Sequence, residues 1–418
     1  MREAPRPPDR RNGRPPFVLD RSAAAPLLSL AGLAVAAAFS LGLLFGRFDL
    51  GIGGGPGGEG GSRTPNPSVV FTPAPSPDAT PAFVGTILFA QEGSIWSISG
   101  HEVRRISSGS RDSMPAWTSD GQAIVFIETR TRNARVPTDG RYQTYILDYP
   151  SVMRMTAAGT DRTVIKDGLI KLEGGSERYY FTWLLQPDVS PDGKTIALVS
   201  DAPKPFDQDV TLSLLPMTGG KVDNLGVRQE RPLGHNDPDW SPDGTRLAFT
   251  YNARDASLGT PKVGILTLKG AKLRFLVSGG YAQPSWSPDG RFLAAVRTTG
   301  DGRDIVIVRV KDGAVLDRFT ADGRSFAPAW SPDGTGIAYL NITREGVDLR
   351  LLLLGPPAAA GGAPTLRDDI ALTADSRLDP GSRPSWFIPP ELLPTPSPSA
   401  APSGSGSPAG SAAPSVAP

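Results

Sequence analysis

The stretch Asp237-Pro-Asp-Trp-Ser-Pro-Asp-Gly244 decides the fold, because the chain writes it again and again. It returns as Gln283-Pro-Ser-Trp-Ser-Pro-Asp-Gly290 and Ala327-Pro-Ala-Trp-Ser-Pro-Asp-Gly334. Looser copies stand at Met114-Pro-Ala-Trp-Thr-Ser-Asp-Gly121 and Gln186-Pro-Asp-Val-Ser-Pro-Asp-Gly193, and a broken one at Arg383-Pro-Ser-Trp386. Self-similarity at this spacing is the mark of a repeat architecture, and it governs how every other residue is read.

Each full copy runs into a short apolar segment, such as Leu247-Ala-Phe-Thr250, Leu293-Ala-Ala-Val296 or Ile337-Ala-Tyr-Leu340. Segments this short, apolar at consecutive positions and bounded by turn residues, read as strands covered on both faces. The Pro-Asp-Gly between them is a hairpin turn, since Asp hydrogen-bonds its own backbone and Gly takes positive φ without steric cost. The unit is therefore strand A (Pro-x-Trp), a turn and strand B. Two weaker strands, C and D, follow before the next copy.

Four antiparallel strands per repeat with both sheet faces apolar describe a propeller blade packed between neighbours. The units resemble the repeats of TolB-type β-propellers, whose pattern is Pro-x-Trp-Ser-Pro-Asp-Gly followed by Ile-Ala-Phe, and the resemblance covers about Gly85 to Pro389. It implies an all-β, six-bladed propeller over residues 84–389. Gly85-Thr-Ile-Leu-Phe-Ala90 looks like a strand B without its strand A, and Pro384-Ser-Trp386 like a strand A without its strand B. The two defects complement each other, so the ring is expected to close on one composite blade, leaving no open edge. The Trp residues that recur in register (Trp117, Trp240, Trp286, Trp330, Trp386) read as blade core rather than stacking platforms, and the turn aspartates as turn formers.

Outside the ring the composition changes. Residues 1–22 are polar with an arginine excess and are expected to form a basic cytoplasmic tail. Residues 23–46 carry no charge and are long enough to cross the roughly 30 Å hydrocarbon core as one transmembrane helix. A cleavable signal peptide is the other reading, but Leu43-Leu-Phe-Gly-Arg47 is a poor cleavage context. With the arginine flank held inside, the expectation is a single-pass protein of the cytoplasmic membrane whose propeller is extracytoplasmic. Residues 47–83 form a Gly/Pro-rich tether spanning on the order of 30 Å, and residues 390–418 a Pro/Ser/Ala-rich tail; both are expected to be disordered.

Composition narrows the function. A net charge of +1 and the lack of a basic stripe give no case for nucleic acid. With no Cys, disulfides, thiolate metal sites and a Cys nucleophile are excluded. Hydrolases that share this type of propeller need a separate domain with a Gly-x-Ser-x-Gly elbow, for which the chain has no room. Lyases of similar fold use His-rich metal centres, whereas His101 and His235 are the only histidines. No enzyme, cofactor or metal is expected.

In a repeat protein, function is sought where the repeats differ. Two insertions lie between Asp120 and Asp192, at about Thr129 to Pro150 and Gly168 to Trp183. The B-to-C and D-to-A connections share one face of a propeller, so both should stand together beside the central channel. They carry Arg130, Arg132, Arg135, Arg141, Tyr142 and Tyr145, then Arg178, Tyr179, Tyr180 and Trp183. Arg and aromatic residues are what interface cores use; the competing reading has the loops simply covering each other. At the same mouth, Asp188, His235, Asp237 and Asp239 precede or begin strands A and read as a solvated channel lining rather than a calcium site. The expectation is a non-catalytic protein-binding or scaffold module of the bacterial envelope. By the TolB resemblance it would receive a partner's peptide at its mouth. The alternative is a surface propeller that binds or processes carbohydrate.

Overall fold

A computed structural model describes residues 83–394, apart from 139–140, 173–177, 206–208, 228–233, 253–259, 278, 301 and 360–361. The basic tail 1–22, the span 23–46, the tether up to residue 82 and the tail from residue 395 lie outside the described residues. Among the described residues no helix is long and apolar enough to cross a membrane.

The described residues form 26 strands and one short 3-10 turn at Pro390–Leu392. After β1 (Thr86–Gln91), β2 (Ser94–Ser99) and β3 (Glu102–Arg105), blade 2 holds β4 (Asp112–Trp117), β5 (Ala123–Thr138), β6 (Arg141–Thr156) and β7 (Thr163–Asp167). A separate hairpin, β8 (Leu169–Lys171) with β9 (Tyr179–Phe181), precedes blade 3. That blade is β10 (Leu185–Val189), β11 (Thr195–Ser200), β12 (Thr211–Pro216) and β13 (Asp223–Asn224). Blade 4 is β14 (His235–Trp240), β15 (Arg246–Asn252), β16 (Pro261–Thr267) and β17 (Lys272–Phe275). Blade 5 is β18 (Tyr281–Trp286), β19 (Phe292–Thr299), β20 (Gly302–Arg309) and β21 (Val315–Arg318). Blade 6 is β22 (Ser325–Trp330), β23 (Gly336–Ile342), β24 (Val347–Gly355) and β25 (Thr365–Ala371).

The last strand, β26 (Ser385–Phe387), pairs antiparallel with β1, Ile87 lying opposite Trp386, so blade 1 reads β26-β1-β2-β3. Six four-stranded antiparallel sheets result.

The core lies between blades, not within them. Val125, Ile127 and Val152 of blade 2 pack on Ile196, Leu198 and Leu215 of blade 3. Phe326, Leu340 and Leu349 of blade 6 likewise pack on Ile87, Phe89 and Trp386 of blade 1. Consecutively apolar strands B and C are required because each sheet is covered on both faces. Outer strands are short and charged, as in Glu102-Val-Arg-Arg105, which blunts their open edges.

The Pro-Asp-Gly turns also touch in sequence around the ring. A Cβ on Gly290 would come 3.5 Å from Pro242, and one on Gly334 would come 3.3 Å from Pro288, so each turn rests on the proline of the blade before. Blade 1 has no such turn, and the Phe387 ring fills its place against Gly121, where a Cβ would lie 2.2 Å from the ring.

One expectation changes here. The insertion at Thr129 to Pro150 is not a loop. β5 and β6 are 16 residues each and stay paired from Ala123↔Thr156 to Thr138↔Arg141, so the hairpin grows out of the blade as a two-stranded ribbon. The sequence Thr138-Asp-Gly-Arg141 carries the Asp-Gly signal of a tight hairpin.

Candidate functional site

The channel is built by strands A, and five of the six carry one unusual residue. The residue before the proline sits in the left-handed region at Met114, Gln186, Asp237, Gln283 and Ala327, with φ of 50 to 54°. A proline offers no N–H to the ladder, and each of these five strands shifts register at this point. The left-handed residue turns its own N–H out of the ladder, so that donor needs a partner elsewhere.

The partner comes from a neighbouring side chain. Met114 N–H donates to Ser382 Oγ at 2.8 Å, Asp237 N–H to Gln186 Oε1 at 2.8 Å and Ala327 N–H to Gln283 Oε1 at 2.9 Å. Gln186 N–H reaches Met114 Sδ, and Gln283 N–H reaches Thr250 Oγ1. A second belt lies at the next turn of the pattern. The Trp240 and Trp286 N–H groups donate to Asp188 Oδ2 at 2.8 Å and Asp239 Oδ2 at 2.7 Å. The equivalent Trp330 and Trp117 groups donate to Ser285 and Ser385 Oγ, both at 3.0 Å. Asp188 and Asp239 thus do the work that serine does in other blades.

Unlike serine, they bring charge, and Arg383 answers it. Its guanidinium donates to Pro284 O at 3.1 Å and Pro238 O at 3.2 Å, pairs with Asp239 Oδ1 at 2.9 Å and approaches Asp188 Oδ1 to 4.0 Å. From blade 1 it therefore engages blades 3, 4 and 5. Asp237 is held at both oxygens, by Gln186 Nε2 (2.9 Å) and Thr250 Oγ1 (2.8 Å). Three carboxyls share one cation. Burial, reinforced by the Asp188 carboxylate and opposed by Arg383, pushes Asp239 up to about 7. Burial also raises Asp188 and Asp237. The pocket at this mouth is lined by Met114, Gln186, Asp188, Asp237, Arg383 and Ser385.

His235 lies elsewhere than the sequence places it. It is fully buried, its ring 5.1 Å from Phe249 and 5.2 Å from Tyr251, and its Nδ1 accepts the Leu212 N–H at 3.2 Å. It belongs to the apolar layer between blades 3 and 4, because the first residue of strand A faces between the sheets rather than into the channel. Arg383 was not singled out by the sequence reading. Its signal was available: it stands before a proline at the position that holds Met114, Gln186 and Asp237 in other blades.

The two insertions do meet. Arg132 lies over the Tyr179 ring at 4.5 Å and donates to its hydroxyl at 2.8 Å. Arg130 pairs with Asp167 at 3.3 Å at the base of the ribbon, and Arg111 binds Asp148 across it. Trp183 packs edge-on against Phe181 at 4.9 Å, and its N–H donates to Asp201 at 2.8 Å, so it anchors the foot of the β8–β9 hairpin. Tyr180 and Arg178 are half-buried there. Arg135 and Arg141 are exposed farther out, whereas the side chain of Tyr142 is outside the described set. Among the described residues no group of three or more His, Asp or Glu converges as a metal site would.

No protein-family model matches the chain. An uncharacterised protein of Agrobacterium fabrum is 30% identical over 158 residues, which is 36% of this chain and 43% of that relative. The chain thus spans less than half of that relative's length. Among solved structures, TolB of Acinetobacter baumannii superposes with a TM-score of 0.50 at 18% identity, over 72% of this chain and 66% of that one. A structure assigned as TolB of Agrobacterium tumefaciens gives 0.46 at 17% identity, over 72% of this chain and 96% of that one. The first of these likenesses shows the propeller fold.

Proposed function

We propose that this chain is a non-catalytic, protein-binding propeller of the bacterial cell envelope, tethered through residues 23–46 with the ring outside the membrane. In this reading the blade that joins β26 to β1 serves as the closure of the ring. The observation that carries the reading is the asymmetry of the ring: among the described residues, blade 2 alone extends a ribbon backed by a second hairpin on the face of the channel mouth. The mouth carboxyls support the non-catalytic part. Asp188, Asp237 and Asp239 spend their oxygens on holding neighbouring blades and on Arg383, and His235 spends Nδ1 on a backbone amide. General acid–base chemistry would need such groups pointed at a substrate.

The reading is tested with a photo-cross-linking amino acid placed at Arg141 and, as a control, at Arg318 on the outer strand of blade 5. A discrete protein adduct from Arg141 alone, together with pull-down of the same protein that is lost when residues 131–148 are replaced by a tight turn while the melting temperature holds, is the expected outcome. Equal adducts from both positions, or capture that survives the deletion, would overturn it. Binding of cell-wall polysaccharide abolished by Asp239→Asn would favour the carbohydrate reading instead.

A further inference from the structure

The mouth end of blades 5 and 6 holds cations that the fold does not use. Elsewhere arginines are spent on acids, as Arg162 is on Asp112, Arg318 on Asp304 and Arg350 on Asp369. Among the described residues, Arg297, Arg303, Arg324, Arg344 and Arg377 make no ion pair and no side-chain hydrogen bond. Most acids at this end are taken. Asp304 gives one oxygen to Arg318 at 2.6 Å and the other to the Gly323 N–H at 3.1 Å, while Asp322 accepts from the Arg324 N–H, Ser325 and Asn341. Asp348 accepts from Thr373 and the Ser376 N–H, and Asp379 from Ser382 and the Gly381 N–H. Glu345 and Asp375 are exposed, and Asp301 lies outside the described residues, so even with all three counted the five arginines are in excess.

Arg303 alone of the five is not exposed. β20 turns Ile305 and Ile307 onto Ile337 and Tyr339 of blade 6, and side chains alternate along a strand, so Arg303 also faces the seam between blades 5 and 6. Thr298, opposite it on β19, shares that face. Arg303 is half-buried, and burial pushes its guanidinium below the ordinary value with no acid acting to raise it. Arg162, half-buried in blade 2, is instead raised by its hydrogen bond to Asp112. A desolvated cation is unfavourable unless an anion compensates it. The chain then brings a second cation beside the first. The Arg303 N–H donates to Gly323 O at 2.9 Å, and Arg303 bridges Arg324 in parallel, which sets their Cα atoms about 4.8 Å apart. Glycines permit this close crossing, since a Cβ on Gly302 would come 3.3 Å from Gly323 Cα. Like charges on neighbouring strands repel, and an anion held by both would remove that cost.

We infer that Arg303 and Arg324 bind a phosphate group at the mouth end of the seam between blades 5 and 6. Donor geometry favours phosphate over carboxylate. Each guanidinium is a planar fork, and a carboxylate's two oxygens match one fork, whereas a phosphate presents oxygens to two forks at once. Two cations also match the nearly two negative charges of a terminal phosphate. Thr298 adds a hydroxyl on the face of Arg303. Soluble phosphates and phospholipid headgroups both carry this chemistry, and the test separates them. The site goes beyond the protein-binding reading of blade 2 and needs nothing from it.

The full chain is titrated by calorimetry with pyrophosphate, with glycerophosphoglycerol as a soluble lipid headgroup, and with succinate as the carboxylate control at matched ionic strength. At least one phosphate probe is expected to bind about tenfold more tightly than succinate and to raise the melting temperature; the tighter of the two identifies the source. Arg303→Gln should weaken that probe by about tenfold or more, the worth of hydrogen bonds to a charged group. Arg303→Lys, which keeps the charge and loses the fork, and Arg324→Gln should each weaken it several-fold. Arg344→Gln, at the same end of the ring, should leave it within about twofold. Because Arg303→Gln removes an uncompensated cation, the unliganded variant should melt no lower than the wild type. Succinate binding as tightly as both phosphates, or neither phosphate binding, overturns the inference. So does an Arg344→Gln loss equal to that of Arg303→Gln, which would mean diffuse attraction rather than a site. An unliganded Arg303→Gln protein that melts lower also overturns it, since the fold would then already use the guanidinium.

Discussion

Replacing Arg383 by methionine tests how the mouth is held together. The guanidinium is 23% exposed and faces Asp239, with Asp188 and Asp237 close by and the carbonyls of Pro284 and Pro238 accepting from it. Removing one partner of a buried pair costs about 3–5 kcal/mol when the other stays charged. Here the partner has a way out. Asp239 sits at about 7, which corresponds to about 4 kcal/mol between its two protonation states relative to an ordinary carboxyl. Its folded value is raised, so its contribution to stability is fully present below the unfolded value near 4 and is lost as pH rises through about 7. Asp188 and Asp237 are raised by the same burial and act in the same direction. The wild-type protein should therefore lose stability from Asp239 as pH rises from about 4 to about 7. Arg383→Met should cost ~3–5 kcal/mol at pH 8, where Asp239 is driven to ionise without a counterion, and roughly half that at pH 5, where it is protonated. Urea unfolding followed by tryptophan fluorescence at the two pH values measures both. Adding Asp188→Asn and Asp239→Asn keeps an oxygen for the Trp240 and Trp286 amides and should restore most of the loss at pH 8. A cost equal at both pH values, with no recovery in the triple variant, would refute the reasoning.

Two further changes probe the ring itself. Gly121→Ala combines a residue at φ +66° with a Cβ 2.2 Å from the Phe387 ring, and should destabilise by about 2–4 kcal/mol in urea unfolding. Gly226→Ala, at φ +67° but with nothing within 4 Å, should cost only about 1–2 kcal/mol. Trp240 Nε1 donates to Asp188 O at 3.2 Å whereas Trp330 Nε1 is buried with no partner, so Trp240→Phe should cost about 1 kcal/mol more than Trp330→Phe by the same measurement.

The blades were legible because their signals are local. Pro-Asp-Gly makes the same turn wherever it occurs, and Leu247-Ala-Phe-Thr250 has no stable alternative to a strand covered on both sides. What the sequence concealed depends on partners brought in from other blades. Asp188 and Asp239 read as a solvated acidic lining, yet their oxygens hold tryptophan amides one blade farther on. The left-handed turn at Gln186 or Gln283 carries no glycine to announce it, because the strain is offset by a hydrogen bond to the neighbouring blade. His235 is polar by type and apolar by place, a distinction that only the packing of Phe249 and Tyr251 decides. The ribbon could have been read, since Asp139-Gly140 lies at the centre of two alternating segments. By repeat pattern alone the insertion reads as a loop, because it interrupts the repeat.

The hydroxyls of Ser382 and Ser385 take up the amides of Met114 and Trp117, some 268 positions earlier in the chain. A growing polypeptide emerges from the ribosome with blade 2 already complete in its own strands, but those two inner donors have nothing to bind until nearly the whole ring has been made. Closure of the ring must accordingly wait until the segment that carries Ser382 and Ser385 has been made. Until then the unfinished product exposes Ile87, Phe89 and Ile98 of blade 1, the apolar flank that Phe326, Leu340 and Leu349 of blade 6 later cover, which makes the interval just before closure the one most prone to aggregation.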